Sequence, residues 1–414
     1  MISLKPVRGT QDILPNENRR YRLVEEVAFR VADRYGFGEI TTPIFEFTEV
    51  FSRTLGDTSD IVTKEMYTFQ DKGLDYITLR PEGTAGIARA FISNGLQQNL
   101  PIKLFYRGPM FRYERPQKGR RRQFHQVGIE TLGVATPHAD IEAISLAKTF
   151  LEELGLGEKI NLELNSLGDP ESRLAYNQKL LAYFNDHKQS LSQQSRKRLK
   201  KNPLRILDSK ENEDKVIVAN APKLQDSFNV RSSDFFSELC EGLQKLDIAY
   251  NHNHTLVRGL DYYSHTAFEF TTTDLGAQGA VLAGGRYDSL VSQMGGPETP
   301  GVGWAAGVER LALLIETDIN IKRPIAVIPV GKESENEALI ITEKLRKNGF
   351  YVDLGYSGNL KKRMKRANER NTIAVIFVGE NESIRRTVTL KDMDTSNQKE
   401  VSLDSLEQQL HIYK

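Results

Sequence analysis

The sequence predicts an α/β protein of two or three domains, and three observations carry that expectation. The chain has 414 residues, enough for more than one hydrophobic core. A strand–loop–strand hairpin is legible from Phe111 to Glu130, FRYERPQKGRRRQFHQVGIE. After Arg323–Pro324, apolar strand-like runs alternate with helical segments, the pattern of a small α/β domain with a mixed sheet.

Bulk composition bounds the rest. With 39% hydrophobic and 27% charged residues the chain reads as an ordinary globular protein. Its net charge of +1 means that any basic footprint must be local. The single cysteine, Cys240, excludes an internal disulfide framework and a cysteine-cluster metal site, and is expected to be a small core residue. The opening MISLKPVRGTQDILP lacks the apolar core of a signal peptide, and no run approaches the ~20 apolar residues of a membrane helix. A cytoplasmic protein without membrane contact is expected.

In chain order, Val24, Val27, Ala28, Val31 and Tyr35 lie at helical spacing and predict a helix from about Asn18 to Tyr35, stopped at Gly36. Ile40, Thr42 and Ile44 then alternate as in a strand. Pro43 interrupts that run, which marks an edge, a bulge or a contact with another chain. In YITLRPEGTAGIARAFI, Tyr76 to Leu79 is a short strand, and a helix runs on from Thr84. Thr84 is either the helix cap or, with Glu82, a ligand contact.

The hairpin's return strand places Phe124, Gln126, Gly128 and Glu130 on one face. His125, Val127, Ile129 and Thr131 share the other face, which should meet the core. A carboxylate among apolar neighbours needs a partner. The loop tip carries Arg115, Lys118, Arg120, Arg121 and Arg122 against Glu114, with Arg112 just before it. An exposed basic hairpin is one reading. The other is a site where arginine holds phosphate and Phe124 stacks a base.

From about Asn161 to Asn253 lysine- and glutamine-rich helical segments follow a strand, with Leu174, Leu180, Leu181 and Phe184 forming one helix face. The basic run Arg196, Lys197, Arg198, Lys200 and Lys201 reads as a solvated face. TLVRGLDYYSHTAFEF restores strand character, with Arg258, Tyr262 and Tyr263 at its start. AGGRYDSLVSQMGG lets a backbone approach closely at Gly284 and Gly285. No GxGxxG or GxxxxGK[ST] loop occurs, so a nucleotide here would be held by arginine side chains. GVGWAAGVERLALLIE reads as strand, glycine turn and helix, with Arg310 in the first helical turn. In the C-terminal domain, NLKKRMKRANER carries Lys361, Lys362 and Arg363 on a basic helix. His252 and His254 have no third ligand nearby in sequence and are expected in a loop. No GxSxG elbow is present.

FRYE, a basic loop and RQFHQ resemble motif 2 of the class II aminoacyl-tRNA synthetases, and RPQKGRRRQFHQ in full resembles the histidyl-tRNA synthetase version. The first helix and the strand ending at Pro43 resemble motif 1, the dimer interface of that family. GVGWAAGVERLALLIE resembles motif 3, and LVRGLDYY a stretch peculiar to the histidine enzymes. The resemblance spans nearly the whole chain, with its motifs in family order. It implies a class II antiparallel sheet flanked by helices in a catalytic domain over residues 1–322. A helical insertion at about 169–235 and an α/β anticodon-binding domain with a mixed sheet over 323–414 complete the expected fold.

The resemblance also implies the chemistry. L-Histidine is activated with ATP and Mg²⁺ to histidyl-adenylate and pyrophosphate, then transferred to the 3′ end of tRNA(His), by a homodimer. Glu82, Gly83, Thr84 and Gln126 would hold the α-amino end. Glu130, Tyr262 and Tyr263 would meet the imidazole. Arg112 and Arg258 would be catalytic, flanking the α-phosphate. Glu114, Arg120, Phe124 and Arg310 would bind the rest of ATP. Arg115, Gln117 and Arg122 would receive the tRNA acceptor end, and Lys361, Lys362 and Arg363 the anticodon. No metal cage made by protein alone is expected. The chain departs from the family at Ser264 and His265, where asparagine and arginine are frequent, and at Phe270 and Trp304. Two other classes share part of this pattern. One is a non-catalytic, histidine-sensing paralogue that regulates an ATP phosphoribosyltransferase; such proteins lack the anticodon domain and some of the arginines. The other is a generic RNA-binding protein.

Overall fold

The computed structural model describes residues 4–54, 61–117, 119–209, 211–257, 262–276, 279–316 and 322–414. Arg258 and Lys118, both singled out from the sequence, lie outside the described residues. The chain forms two compact units, Met1–Thr317 and Asp318–Lys414.

The first unit opens with α1 (Pro15–Arg34), three residues earlier than the periodicity predicts. Pro15 lacks an N–H and has a fixed φ, which suits a first helical turn. Val24, Val27, Ala28 and Val31 are buried along one stripe. The strand expected over Ile40–Ile44 is not continuous. Two pieces form instead, β1 (Gly38–Glu39) and β2 (Phe45–Phe47), and they join different sheets. Pro43, with no donor for a ladder, sits in the crossing segment.

Next come α2 (Thr48–Ser52), β3 (Tyr67–Gln70), β4 (Tyr76–Leu79), α3 (Thr84–Ser93), β5 (Ile102–Phe111), β6 (Gln123–Leu132), α4 (His138–Glu153) and β7 (Asn161–Ser166). Where the helical insertion is expected, the described residues form four α-helices, α5 (Pro170–Asp186), α6 (Gln193–Lys201), α7 (Asn212–Val218) and α8 (Val230–Lys245), the last running past the expected end at about 235. The unit closes with β8 (Asn251–His252), β9 (Ser264–Thr271), β10 (Ala280–Arg286), α9 (Leu290–Gln293), β11 (Gly301–Gly307) and α10 (Val308–Leu314).

Eight strands make one sheet, in the order β1-β5-β6-β11-β10-β9-β7-β8. Its pairs are antiparallel except at the two edges, β1 with β5 and β7 with β8. Helices α1, α4 and α10 bury one face together with Val127, Ile129, Phe268 and Trp304. The Trp304 ring stacks on Phe150 at 5.9 Å, and its Nε1–H donates to the Ala143 carbonyl at 3.0 Å. A separate three-stranded sheet has the order β2-β4-β3. The insertion has its own small core, in which Tyr176, Leu180 and Phe184 recur every four residues. Leu174 and Leu181, expected on that face, are exposed.

The second unit contains β12 (Ile325–Val330), α11 (Glu335–Lys347), β13 (Val352–Leu354), α12 (Leu360–Glu369), β14 (Ala374–Gly379), α13 (Glu380–Ile384), β15 (Thr387–Asp392), β16 (Gln398–Ser402) and α14 (Leu406–Leu410). Its sheet order is β13-β12-β14-β15-β16; β12 runs parallel to β13 and β14, and the other pairs are antiparallel. The fold is thus an antiparallel-rich sheet flanked by helices, followed by a domain with a mixed sheet. No helix among the described residues is long and apolar enough to cross a membrane.

Candidate active site

The hairpin β5–β6 pairs over ten residues in register. Its alternation follows the sequence pattern. Val127 and Ile129 enter the core, while Phe124 and Gln126 line a cavity of about 530 Å³. Gly128 faces Tyr106 on β5, where a Cβ would come within 2.5 Å of the tyrosine ring. Glycine there makes room for a buried aromatic that no sequence pattern singles out.

One end of the cavity is built on the N-terminus of α3. The Glu82 carboxylate accepts from the backbone N–H of Thr84 at 2.7 Å and of Ala85 at 2.8 Å. These are donors that a helix start leaves orphaned. Glu82 therefore performs the capping that the sequence left open for Thr84. Gly83 occupies the N-cap position, and the Tyr106 ring leaves no room for a side chain on it. Thr84 is released to donate its hydroxyl to Glu130 Oε1 at 2.6 Å. The Tyr287 hydroxyl donates to the other oxygen, Oε2.

Glu130 is 1% exposed, so the cavity reaches it through Thr84 and not along its own surface. Burial pushes its pKa up to about 8; the bonds from Thr84 and Tyr287 act against that shift, and the nearby Glu82 adds to it. Burial likewise raises Glu82, against its two backbone bonds. The Gln126 Oε1 is buried with no hydrogen-bond partner among the described residues. A buried acceptor in a cavity wall is an open ligand contact. Tyr262 and Tyr263, with ring centroids 4.6 Å apart, form a further wall.

The other end is cationic and aromatic. Arg112 is held by its Nε–H on the Pro81 carbonyl at 2.8 Å, and its guanidinium lies 5.2 Å from the Phe124 ring centre. Glu114 takes a bond from Arg120 at 3.0 Å and stands 3.7 Å from Arg112. Arg310, on the first turn of α10, lines the same cavity. Burial lowers its pKa, and the like charge of Arg120 lowers it further. The turn is fixed from below: Glu309 is buried and accepts from the His125 backbone N–H at 2.9 Å and meets its ring Nδ1 at 2.9 Å. Among the described residues no three His, Cys, Asp or Glu side chains cluster as a metal site.

The hairpin loop lies at the mouth of this end. Arg115 and Gln117 are exposed. Arg122 places its guanidinium 3.7 Å from the Tyr113 ring centre, and its backbone N–H donates to the Gly9 carbonyl at 2.8 Å. Arg121 is tied to Glu17 and the Tyr21 hydroxyl, both at 3.1 Å. In the second unit Lys361 and Lys362 are exposed on the first turn of α12. Arg363 instead folds back onto the Pro329 carbonyl and stands 3.5 Å from Glu335. Tyr106, Tyr287, Glu309 and the insertion's Asp208, which also lines the cavity, escaped the sequence reading. Only Tyr287, within the glycine-rich AGGRYD, had a local signal.

Comparison with known proteins agrees with this geometry. Residues 9–311 match the family described as histidyl-tRNA synthetase, and residues 324–411 match the anticodon binding domain. A histidine–tRNA ligase of Rhodospirillum rubrum is 59% identical over 409 residues, 99% of each chain. That of Wolbachia pipientis wMel is 53% identical over 399 residues, covering 96% of this chain and 97% of its own. The crystal structure of apo S. aureus histidyl-tRNA synthetase superposes with a TM-score of 0.82 at 35% identity, covering 98% of this chain and 99% of its own. A Bacillus halodurans protein described as an ATP phosphoribosyltransferase regulatory subunit/histidyl-tRNA synthetase shares the fold, with a TM-score of 0.66 at 23% identity over 92% of this chain and 99% of its own. An arginine-and-aromatic end joined to a carboxylate-and-amide end in one cavity, within a match that runs the length of the chain, has one reading: the chain belongs to the histidyl-tRNA synthetase family.

Proposed function

We propose that this chain is a histidine–tRNA ligase. It activates L-histidine with ATP and then esterifies tRNA(His). One observation supports this above others: a single cavity carries Glu82, Thr84 and Gln126 at one end and Arg112, Phe124 and Arg310 at the other. The first group suits an ammonium, the second a base and its phosphates.

Glu82, Thr84 and Gln126 hold the α-amino group. Tyr263 meets the imidazole from the cavity wall, and Glu130 acts on it from behind Thr84, with the Thr84 and Tyr287 hydroxyls keeping its carboxyl in place. Arg112, with Arg258, neutralises the α-phosphate, and Phe124 and Arg310 bracket the adenine. The histidine carboxylate oxygen attacks the α-phosphorus, and the bond to the β-phosphate breaks. Pyrophosphate leaves with the electron pair. The terminal ribose hydroxyl of tRNA then attacks the adenylate carbonyl, and AMP departs. Such chemistry asks the protein for position and charge, not for a nucleophile. Mg²⁺ bound with the ATP phosphates would add its charge neutralisation to that of the arginines.

The chain is read as a cytoplasmic homodimer. Phe45, Phe47 and Phe69 are exposed on one face of the three-stranded sheet, an apolar surface suited to a second copy. Lys361 and Lys362 are the surface cations assigned to the anticodon; Arg115 and the neutral Gln117 are the exposed residues assigned to the acceptor end, with Arg122 behind them.

ATP–pyrophosphate exchange with each of the twenty amino acids tests the assignment. Exchange is expected with histidine alone, and its abolition is expected in Arg258→Ala with tRNA binding retained. A histidine-sensing regulator would bind histidine without exchange. A generic RNA-binding protein would bind tRNA indifferently to histidine and ATP.

A further inference from the structure

The helical insertion begins and ends at one polar knot. Asp169, the N-cap of α5, accepts from the Ser172 N–H at 2.8 Å and from Asn229 Nδ2 at 2.9 Å. Asn229, the N-cap of α8, accepts from the Ser232 N–H at 2.9 Å. The Ser232 hydroxyl oxygen accepts from the Asp169 N–H at 3.0 Å, and that of Ser172 from the Asn229 N–H at 3.1 Å. Each helix is capped by its own N-cap residue, and the serine of each accepts from the main chain of the other's cap residue; both serines are buried. These bonds tie the two ends of the insertion together at its stem.

One residue past Ser172, the guanidinium of Arg173 donates from Nη1 to the main-chain carbonyl of Tyr263 at 2.6 Å. Tyr263 is part of the cavity wall. The adjacent main chain is tied to the same stem, because the His265 N–H donates to the Gly168 carbonyl at 2.9 Å. Beneath the ring lies Gly285, where a Cβ would come within 2.9 Å of Tyr263. The ring therefore rests on β10 while its main chain hangs from α5. The insertion touches the cavity a second time through Asp208.

We propose that Arg173 is a positioning residue for the amino-acid end of the cavity. It acts through the Tyr263 carbonyl and makes histidine binding depend on the stem of the insertion. This rests on the ligase reading above. Arg173 is not among the residues that line the cavity, so its removal loosens the tyrosine wall and leaves the Arg112–Phe124 end as it is. A hydrogen bond from a charged donor is worth roughly tenfold or more in an equilibrium.

Full-length Arg173→Met and Arg173→Lys test this by steady-state exchange and thermal melting. In Arg173→Met the KM for histidine is expected to rise about tenfold, with the KM for ATP within about twofold of the parent. In Arg173→Lys, which keeps a cation but not the fork, a rise of about threefold is expected. Melting midpoints should stay within about 2 °C of the parent. A folded Arg173→Met with an unchanged histidine KM overturns the proposal. So does an equal rise of both KM values with a lowered midpoint, which would make Arg173 a support of the fold only. Should Arg173→Met fail to fold, Arg173→Lys decides alone: a raised histidine KM with the ATP KM unmoved supports the proposal, and no change overturns it. A parent enzyme without histidine-dependent exchange would strike the ligase reading instead.

Discussion

Two buried side chains give the protein opposite responses to pH. Glu130 titrates at about 8 in the folded chain against an ordinary 4.5, chiefly through burial. Between those values the folded chain holds a proton that the unfolded chain has released, so its contribution to stability declines as pH rises through the window. Glu130→Gln keeps the shape and removes the acid. Its melting temperature should exceed the parent's by more at pH 8 than at pH 5, while histidine-dependent exchange falls at least about 100-fold. Melting curves with equal pH dependence in the two proteins would remove Glu130 as the buried acid. His265 acts in the other direction. Its ring stacks on Phe235 at 4.4 Å, and Arg286 lies 5.1 Å from that same phenyl ring. Burial and then Arg286 lower its pKa to about 4 from 6.5. The unfolded chain takes up the proton first, so stability is lost as pH falls from 6.5 towards 4. The backbone at His265 has φ +45°, a conformation that asparagine tolerates. His265→Asn should therefore fold and show a flatter acid limb in melting temperature. The sequence already marked position 265 as a departure from its family, and the alternation over 124–130 placed Glu130 beside the site. Its partners were not legible. Thr84 is 46 residues away and Tyr287 is 157, and no local pattern connects such distances.

Elements were legible where one face settles them. The stripe of α1 and the alternation of β6 each face one hydrophobic core, so period alone locates them. The stretch 38–47 was not, because its two strand pieces belong to different sheets and only tertiary structure separates them. In α5 the buried stripe is Tyr176, Leu180 and Phe184; Leu180 and Phe184 were expected, and a tyrosine stands where Leu174 and Leu181 were expected with them. The central strands depend on small residues in a way that composition hides. At Gly128 a Cβ would come within 2.5 Å of the Tyr106 ring and 2.6 Å of the Trp304 carbonyl. A ring can tilt, but a carbonyl engaged in the β6–β11 ladder cannot. Gly128→Ala is thus expected to cost about 1–3 kcal/mol. Trp304 is the chain's sole tryptophan and sits in the core of the first unit, so urea unfolding followed by its fluorescence reads that unit directly. A midpoint equal to the parent's would mean that the hairpin relaxes around the extra methyl.

At the scale of the whole molecule, the change of texture at Arg323–Pro324 announced a second domain, since a buried parallel strand needs helices around it. How the first unit gathers its site was far less legible: the cavity draws on α3, on the hairpin, on strands β9 to β11 and on α10, and even on Asp208 of the insertion. All its lining residues fall between Glu82 and Arg310, within the first unit. Activation of histidine should then be indifferent to the surface charge of the second unit. Recognition of a polyanionic tRNA should not be, because phosphate contacts release counterions and carry the salt dependence of binding. Lys361 and Lys362 are exposed at the start of α12, where the Asn359 side chain caps the helix through the Lys362 N–H at 3.0 Å. Reversing both charges leaves that cap intact, so the domain should fold. The double variant Lys361→Glu, Lys362→Glu is expected to raise the KM for tRNA about tenfold or more. It should also flatten the salt dependence by roughly one to two counterions and leave ATP–pyrophosphate exchange unchanged. Arg363→Ala should behave differently. That guanidinium serves Pro329 and Glu335 inside its own domain, so its loss should lower the melting temperature of the second unit. If the double reversal slowed exchange as much as charging, α12 would be acting on the first unit and not on the RNA, and the division of labour between the two units would fail.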